Sequence, residues 1–121
     1  MSSIVTEGNI TADAELRYTQ TGKPVAHATL AVTDRIKADT GEWADGATSF
    51  YDLTVWGAPA EPFAQTATKG ARLLVAGQLD TEEYRDRDGN TRTRRRITAE
   101  HTGLSLRFHP AARRETTPDR D

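Results

Sequence analysis

The sequence predicts an all-β domain: a five-stranded Greek-key barrel with one short helix between the third and fourth strands. Short segments rich in β-branched and aromatic residues alternate apolar with polar side chains along most of the chain. Only residues 59–69 favour a helix, and an Asp88-Gly89 turn signal separates the last two strands. With 121 residues, 36% of them hydrophobic, the chain is long enough for one domain with a small core.

The first two strands are predicted at residues 3–10 and 25–34, separated by a turn at residues 20–23 that contains Gly22. In the second strand, alternation places one set of apolar side chains on the core face: Ala26, Ala28, Leu30 and Val32. Residues 37–47 are rich in Gly, Asp and Thr, and they are predicted to form a loop.

The third strand, residues 48–56, carries two large aromatic side chains on a half-polar face. Successive side chains of a strand point to opposite faces. The core face then contains Tyr51, Leu53 and Val55. Phe50 and Trp56 lie on the other face, interleaved with Asp52 and Thr54. Aromatic rings on a solvated sheet face suit stacking on unpaired nucleobases. The alternative is that a helix or a second subunit covers the two rings.

The remaining elements complete the fold. Pro59 suits the first position of a helix and Gly70 the residue after its end. The fourth strand is predicted at residues 72–83, and its alternation, if no bulge intervenes, carries Tyr84 onto the more polar face. A long hairpin leads to a fifth strand at residues 91–99, completed after a break at Gly103 by Leu104, Leu106 and Phe108. Three strands, a helix and two strands is the order of an OB-fold.

Charge is distributed unevenly. The net charge of −2 argues against a uniformly basic nucleic-acid binder. Residues 85–96, however, contain six arginines against two aspartates, a patch that can hold phosphates. The alternative is an ordinary solvated hairpin tip.

Several classes of protein are disfavoured. The chain has no Cys, its three His show no metal-ligand spacing, and no pair of carboxylates stands out as an acid–base couple, so we expect no enzyme, metal or cofactor. No apolar run approaches the ~20 residues that span a bilayer, and the N-terminus does not have the pattern of a signal peptide. The expectation is a cytoplasmic protein whose folded domain covers residues 1–109, with a disordered tail at residues 110–121.

Four blocks, in matching order and spacing, resemble the bacterial single-stranded DNA-binding proteins. Residues 8–26 read G-N-I-T-A-D-A-E-L-R-Y-T-Q-T-G-K-P-V-A, and the family pattern is G-x-L-x-x-D-P-E-x-R-Y-x-x-x-G-x-x-V-A, with Ala14 in place of its Pro. Residues 55–57, V-W-G, fit the end of the third strand. Residues 69–79 match K-G-x-x-V-x-V-x-G-x-L, and residues 84–89, Y-R-D-R-D-G, fit the hairpin.

The resemblance, which covers residues 4–107, implies sequence-independent binding and protection of single-stranded DNA in replication, recombination or repair, without catalysis. It implies base stacking on Phe50, Trp56 and Tyr84. It implies phosphate contacts from basic residues in matching regions: Arg35, Lys37, Arg72, Arg85, Arg87, Arg92 and Arg94. A further stacking position, often Trp in the family, falls at Ile36, which implies weaker stacking there. Trp43, in the predicted loop, is not assigned this role.

The resemblance also implies a nucleoid-associated homotetramer that contacts neither a membrane nor a cofactor. The Arg-rich, Ala-rich composition indicates a high-GC bacterium, and together with the resemblance an actinobacterium. The sequence ends without the acidic, Phe-tipped tail through which family members recruit repair and replication enzymes, so we expect either a tailless paralogue or a truncated chain, in both cases without that recruitment. Two other functions stay open: an OB-fold adaptor that binds a protein through its aromatic face, and an RNA-preferring binder.

Overall fold

Six strands and one helix make up the part of the chain that the structure, a computed structural model, describes: residues 1–113. Their bounds, in chain order, are β1 (Ser2–Ile10), β2 (Glu15–Tyr18), β3 (Pro24–Lys37), β4 (Trp43–Trp56), α1 (Ala60–Thr66), β5 (Arg72–Arg85) and β6 (Thr91–Leu104). The predicted tail begins at residue 110, and its residues 114–121 lie outside the described part.

Five of the strands close into a ring. The hydrogen-bonded order is β1-β5-β6-β4-β3-β2, and β1 also pairs with β3, so that β1, β5, β6, β4 and β3 surround the core while β2 adds to the far edge of β3. β4 and β6 are parallel, and all other neighbours are antiparallel. This arrangement confirms the predicted five-stranded OB-fold barrel with its helix between the third and fourth barrel strands.

The barrel interior is filled by aliphatic side chains from all five strands. The largest fully buried ones are Ile10, Leu30, Leu53, Leu73, Val75 and Ile97. Helix α1 adds Phe63, which is 5% exposed, to the same cluster. Burial of an aliphatic side chain of this size contributes about 1.5–3 kcal/mol. The predicted core face of β3 is confirmed at Ala26 and Leu30, which are completely buried.

The prediction of a loop at residues 37–47 is wrong. β3 continues to Lys37 and β4 begins at Trp43, so only a short turn at residues 38–42 is irregular. The turn is closed by the amide of Ala38, which donates to the carbonyl of Glu42 at 2.7 Å. Composition suggested a loop because Asp, Gly and Thr are common in turns. Pairing with the facing strand overrides that local preference.

Two other boundaries also differ. The helix begins at Ala60 with Pro59 as its N-cap and ends at Thr66, three residues before the predicted end. β6 runs through Gly103 without a break, and its irregularity is a bulge at Glu100. Leu106 and Phe108 do not extend the strand and are 68% and 61% exposed. The last β5–β6 hydrogen bond is donated by the Ser105 amide to the Arg72 carbonyl at 2.9 Å, one residue beyond the end of β6.

Within residues 1–113, no helix is long and apolar enough to cross a membrane.

Candidate nucleic-acid interface

The side chains of β4 divide between the two sides of the barrel wall. Leu53 and Val55 point into the core and are at most 2% exposed. Phe50 and Trp56 point outward and are 56% and 44% exposed. Within the described residues no helix covers them, and the alternative that a second subunit covers the two rings stays open. We call the outer surface of β3, β4, β5 and β6 that carries Phe50, Trp56 and Tyr84 the aromatic face.

A cleft of about 440 Å³ is lined by residues from the 11–15 segment and by the β4 residues that separate Phe50 from Trp56, but neither ring lines it. Asp52 and Thr54 of β4 line it, together with His27 of β3 and Arg96 of β6. The Thr54 hydroxyl lies 3.4 Å from Nδ1 of His27, its cross-strand neighbour. The cleft therefore places hydrogen-bonding groups beside the aromatic face.

The β5–β6 hairpin brings Tyr84 to the same face. The bulge at Glu100 lies on β6, so alternation along β5 is unbroken from Arg72 to Tyr84. The Arg94 guanidinium lies 4.8 Å from the centre of the Tyr84 ring. In the parallel pairing of β4 with β6, Asp52 faces Arg96, and Arg94 lies two residues before Arg96 on the same face of β6.

The other predicted phosphate contacts differ in whether an acidic side chain already pairs with the cation. On the aromatic face, Arg35 forms an ion pair with Asp45 at 3.6 Å, and Arg92 pairs with Asp86 at 2.8 Å. The hydrogen bond from Arg92 lowers the pKa of Asp86 below its ordinary value. Lys37 and Arg94 form no ion pair within the described part of the chain, which leaves their charge available to a phosphate.

Three of the predicted contacts do not lie beside the rings: two are at the hairpin end, and Arg72 lies at the edge of the aromatic face, where it lines a cavity with Ala31 and Arg35. Arg85 follows Tyr84 directly, so its side chain points to the opposite face of the hairpin, and Arg87 lies in the turn. Arg72 donates a hydrogen bond to Glu7 on the outer surface of β1 and β5 and stacks against Phe108 at 5.2 Å. That hydrogen bond is the main cause of a lowered pKa at Glu7. The charge of Arg72 is therefore already partnered.

Two residues that the sequence did not single out complete the face. Lys23 places its ammonium 5.2 Å from the centre of the Trp56 ring, and Arg96 lines the cleft. Lys23 lies in the β2–β3 turn, and only the pairing of Val25 with Trp56 brings the turn beside the ring. Arg96 belongs to the arginine-rich segment, and alternation from Arg94 is the sequence signal that identifies it. Within residues 1–113, no group of three or more His, Cys, Asp or Glu side chains could hold a metal ion.

Comparison with known proteins shows what the chain is similar to. A model of the "Single-strand binding protein family" matches residues 1–105. Proteins named "Single-stranded DNA-binding protein" from Mycobacterium tuberculosis and Mycobacterium bovis are 40% identical over 111 residues, which cover 91% of this chain and 68% of theirs. The crystal structure of a small single-stranded DNA-binding protein from Streptomyces coelicolor superimposes with a TM-score of 0.76 at 28% identity, covering 87% of this chain and 94% of that one.

Proposed function

Because this chain belongs to the single-strand binding protein family, we propose that it binds and protects single-stranded DNA without sequence preference. It is a binding protein and not an enzyme. The observation that carries the proposal is the outward position of Phe50 and Trp56 on β4, where both side chains are about half exposed. Bases stack on Phe50, Trp56 and Tyr84, and basic side chains hold the phosphates between them.

The chemistry of the face explains the preference for single strands. Stacking on an aromatic side chain stabilises a bound base by about 1–3 kcal/mol and tolerates any base, because each has a π face. In a duplex these faces are covered by neighbouring bases. The charged groups add attraction to the backbone that does not depend on sequence.

Titration with poly-dT, a hairpin-free duplex and a single-stranded RNA tests the proposal. We expect poly-dT to quench the tryptophan emission and to bind far more tightly than the duplex. Equal affinity for poly-dT and duplex would contradict the proposal. Tighter binding of RNA would favour the RNA-preferring alternative, and no binding of any nucleic acid would favour the protein adaptor.

We expect Arg94→Ala to flatten the salt dependence of binding. For a single strand, the slope of log affinity against log salt is about −0.7 for each phosphate neutralised, so losing one contact changes it by about 0.7. Arg95→Ala is the matched control, because Arg95 is the next residue on β6 and its side chain points to the opposite face. Titrations at several salt concentrations measure both slopes. Equal slopes for Arg94→Ala and Arg95→Ala would mean that the Tyr84–Arg94 pair does not contact phosphate.

The remaining predicted cations are proposed to contact phosphate beyond the rings. Arg85 and Arg87 lie at the hairpin end, Arg35, Lys37 and Arg92 lie on the aromatic face, and Arg72 lies at its edge. Removing Arg85 and Arg87 together should flatten the salt slope by about 1.4 if both contact phosphate. An unchanged slope would make them part of a solvated hairpin tip.

We also propose that the protein is a homotetramer whose binding domain is residues 1–109. Val5 and Leu74, on the outer surface of β1 and β5, are 79% and 45% exposed, and an apolar surface of this kind supports self-association. With single-stranded DNA as its ligand, the protein would act in the cytoplasm at the nucleoid, in replication, recombination or repair. Deleting residues 110–121 should leave unchanged both the number of subunits, measured by light scattering, and the affinity for poly-dT. A tenfold loss of affinity would contradict the domain boundary.

A further inference from the structure

Trp43 is a large exposed aromatic residue that does not belong to the barrel core. It is the first residue of β4, at the end of the β3–β4 hairpin, and pairs with Lys37, the last residue of β3. Its side chain is 60% exposed, more than that of Phe50 or Trp56. Counting residues along β4 assigns Trp43 to the core-side set, because 43 is odd while 50 and 56 are even.

The register shows that this count fails. Thr33 pairs with Thr48, but Arg35 pairs with Asp45, so one residue of β3 faces two residues of β4, Gly46 and Ala47. Such a bulge inserts one extra residue and inverts the alternation beyond it. Pairs of directly opposed residues keep their side chains on one face, and β3 alternates without interruption. Trp43 therefore lies on the aromatic face, in the same set as Phe50 and Trp56.

Side-chain contacts agree with this assignment. The hydroxyls of Thr33 and Thr48 lie 2.9 Å apart before the bulge, and Arg35 reaches Asp45 after it. Ala31, the partner of Phe50, lines one cavity of about 220 Å³ together with Thr33, Arg35 and Asp45. These side chains from both sides of the bulge therefore share one surface.

Ile36 takes the opposite face. A Cβ added to Gly46 would lie 2.5 Å from the end of the Ile36 side chain, so this side chain covers the glycine on the far side of the hairpin. The family position that the sequence assigned to Ile36 thus points away from Phe50.

We propose that Trp43 is a further base-stacking residue, which continues the path of the DNA strand from the barrel onto the β3–β4 hairpin. Phe50 lies six residue positions from Trp56, and along β3 the partners of Phe50 and Trp43 are also six positions apart. At ~3.3 Å per residue both intervals are about 20 Å. A DNA strand that runs along β4 would therefore meet three aromatic rings at even spacing. Lys37, beside Trp43, forms no ion pair within the described residues and can hold the adjoining phosphate. The inference rests on the proposed binding of single-stranded DNA.

Fluorescence tests Trp43 directly, because the chain has only two tryptophans. The Trp56→Phe variant retains an aromatic ring at the barrel and reports on Trp43 alone, whereas Trp43→Phe reports on Trp56 alone. We expect poly-dT to quench both single-tryptophan proteins. If only the Trp56 signal is quenched, the inference about Trp43 is wrong and the proposed function stands. If neither protein binds poly-dT, the proposed function itself is wrong.

Affinity gives a second test with a matched control. We expect Trp43→Ala to weaken binding of long oligo-dT about tenfold, with little effect on an oligomer too short to pass Phe50. Trp43→Phe should restore most of the affinity. Ile36→Ala removes a similarly exposed apolar side chain from the other face of the same hairpin and should leave the affinity unchanged. Equal losses for Trp43→Ala and Ile36→Ala would indicate a disturbed hairpin and overturn the assignment.

Discussion

We expect the double variant Phe50→Ala, Trp56→Ala to lose most of its affinity for poly-dT. Each ring stabilises a bound base by about 1–3 kcal/mol. The two positions are about 20 Å apart along β4, so their effects should add. The combined loss is then about 2–6 kcal/mol, a decrease of about thirtyfold or more, since 1.4 kcal/mol corresponds to a factor of ten. Titrations of the double variant and of each single variant measure it.

Stability measurements on the same samples separate binding from folding. Phe50 and Trp56 are about half exposed, so the double variant should melt close to the parent protein. Leu53→Ala is the contrasting variant, because Leu53 lies between them on β4 and is completely buried. Replacing a buried Leu by Ala usually lowers the free energy of unfolding by about 2–5 kcal/mol. A double variant that melts as early as Leu53→Ala but binds normally when folded would contradict the stacking role.

We expect the substitution Gly77→Ala to destabilise the barrel strongly. Gly77 lies on the core face of β5, next to the bulge of β6. A Cβ there would lie 2.2 Å from the carbonyl oxygen of Thr98 and 2.9 Å from Cα of Ala99. Both are backbone atoms of the paired strand and can move only if the pairing is distorted. We expect Gly77→Ala to lower the free energy of unfolding by about 3 kcal/mol or more, at the upper end of the range for overpacked cores.

Gly103→Ala is the control for this substitution. Gly103 is also in the β5–β6 pair, opposite Leu74, but an added Cβ would meet no atom within 4 Å. Gly103→Ala should change the free energy of unfolding by no more than about 0.5 kcal/mol, the usual range for surface substitutions. Thermal unfolding measures both variants, and we expect Gly77→Ala to melt about 10 °C lower or more. Similar melting temperatures for the two variants would show that the barrel accommodates a side chain at Gly77.

Local patterns in the sequence predict much of the fold and site. Alternation in residues 48–56 separates Leu53 and Val55 from Phe50 and Trp56, and the structure has the same division. The Asp-Gly turn, the single helix and the order of the barrel strands also follow from local signals. These features depend on residues close together in the chain, so composition and period are enough to find them.

The features that the sequence does not predict depend on pairing between distant segments. The position of Trp43 follows from a bulge that can be identified only when Thr33 is matched with Thr48 and Arg35 with Asp45. The contact of Arg94 with Tyr84, and that of Lys23 with Trp56, depends on register in the same way. Alternation predicts which residues share a face of one strand, but not which side chains of two strands meet.

The closed ring of strands links binding to folding. The aromatic face combines β3 and β4 with β5 and β6. Residues 52–54 of β4 face residues 96–98 of β6 in parallel, and β1 joins β3 to β5 on the other side of the ring. An unfolded chain therefore cannot assemble this face. A ligand that binds only the folded state stabilises it by mass action, to a degree set by its free concentration relative to Kd. Single-stranded DNA should act as a thermal stabiliser of this domain, raising its melting temperature with dose, and the double variant without its two rings should gain little from the same dose.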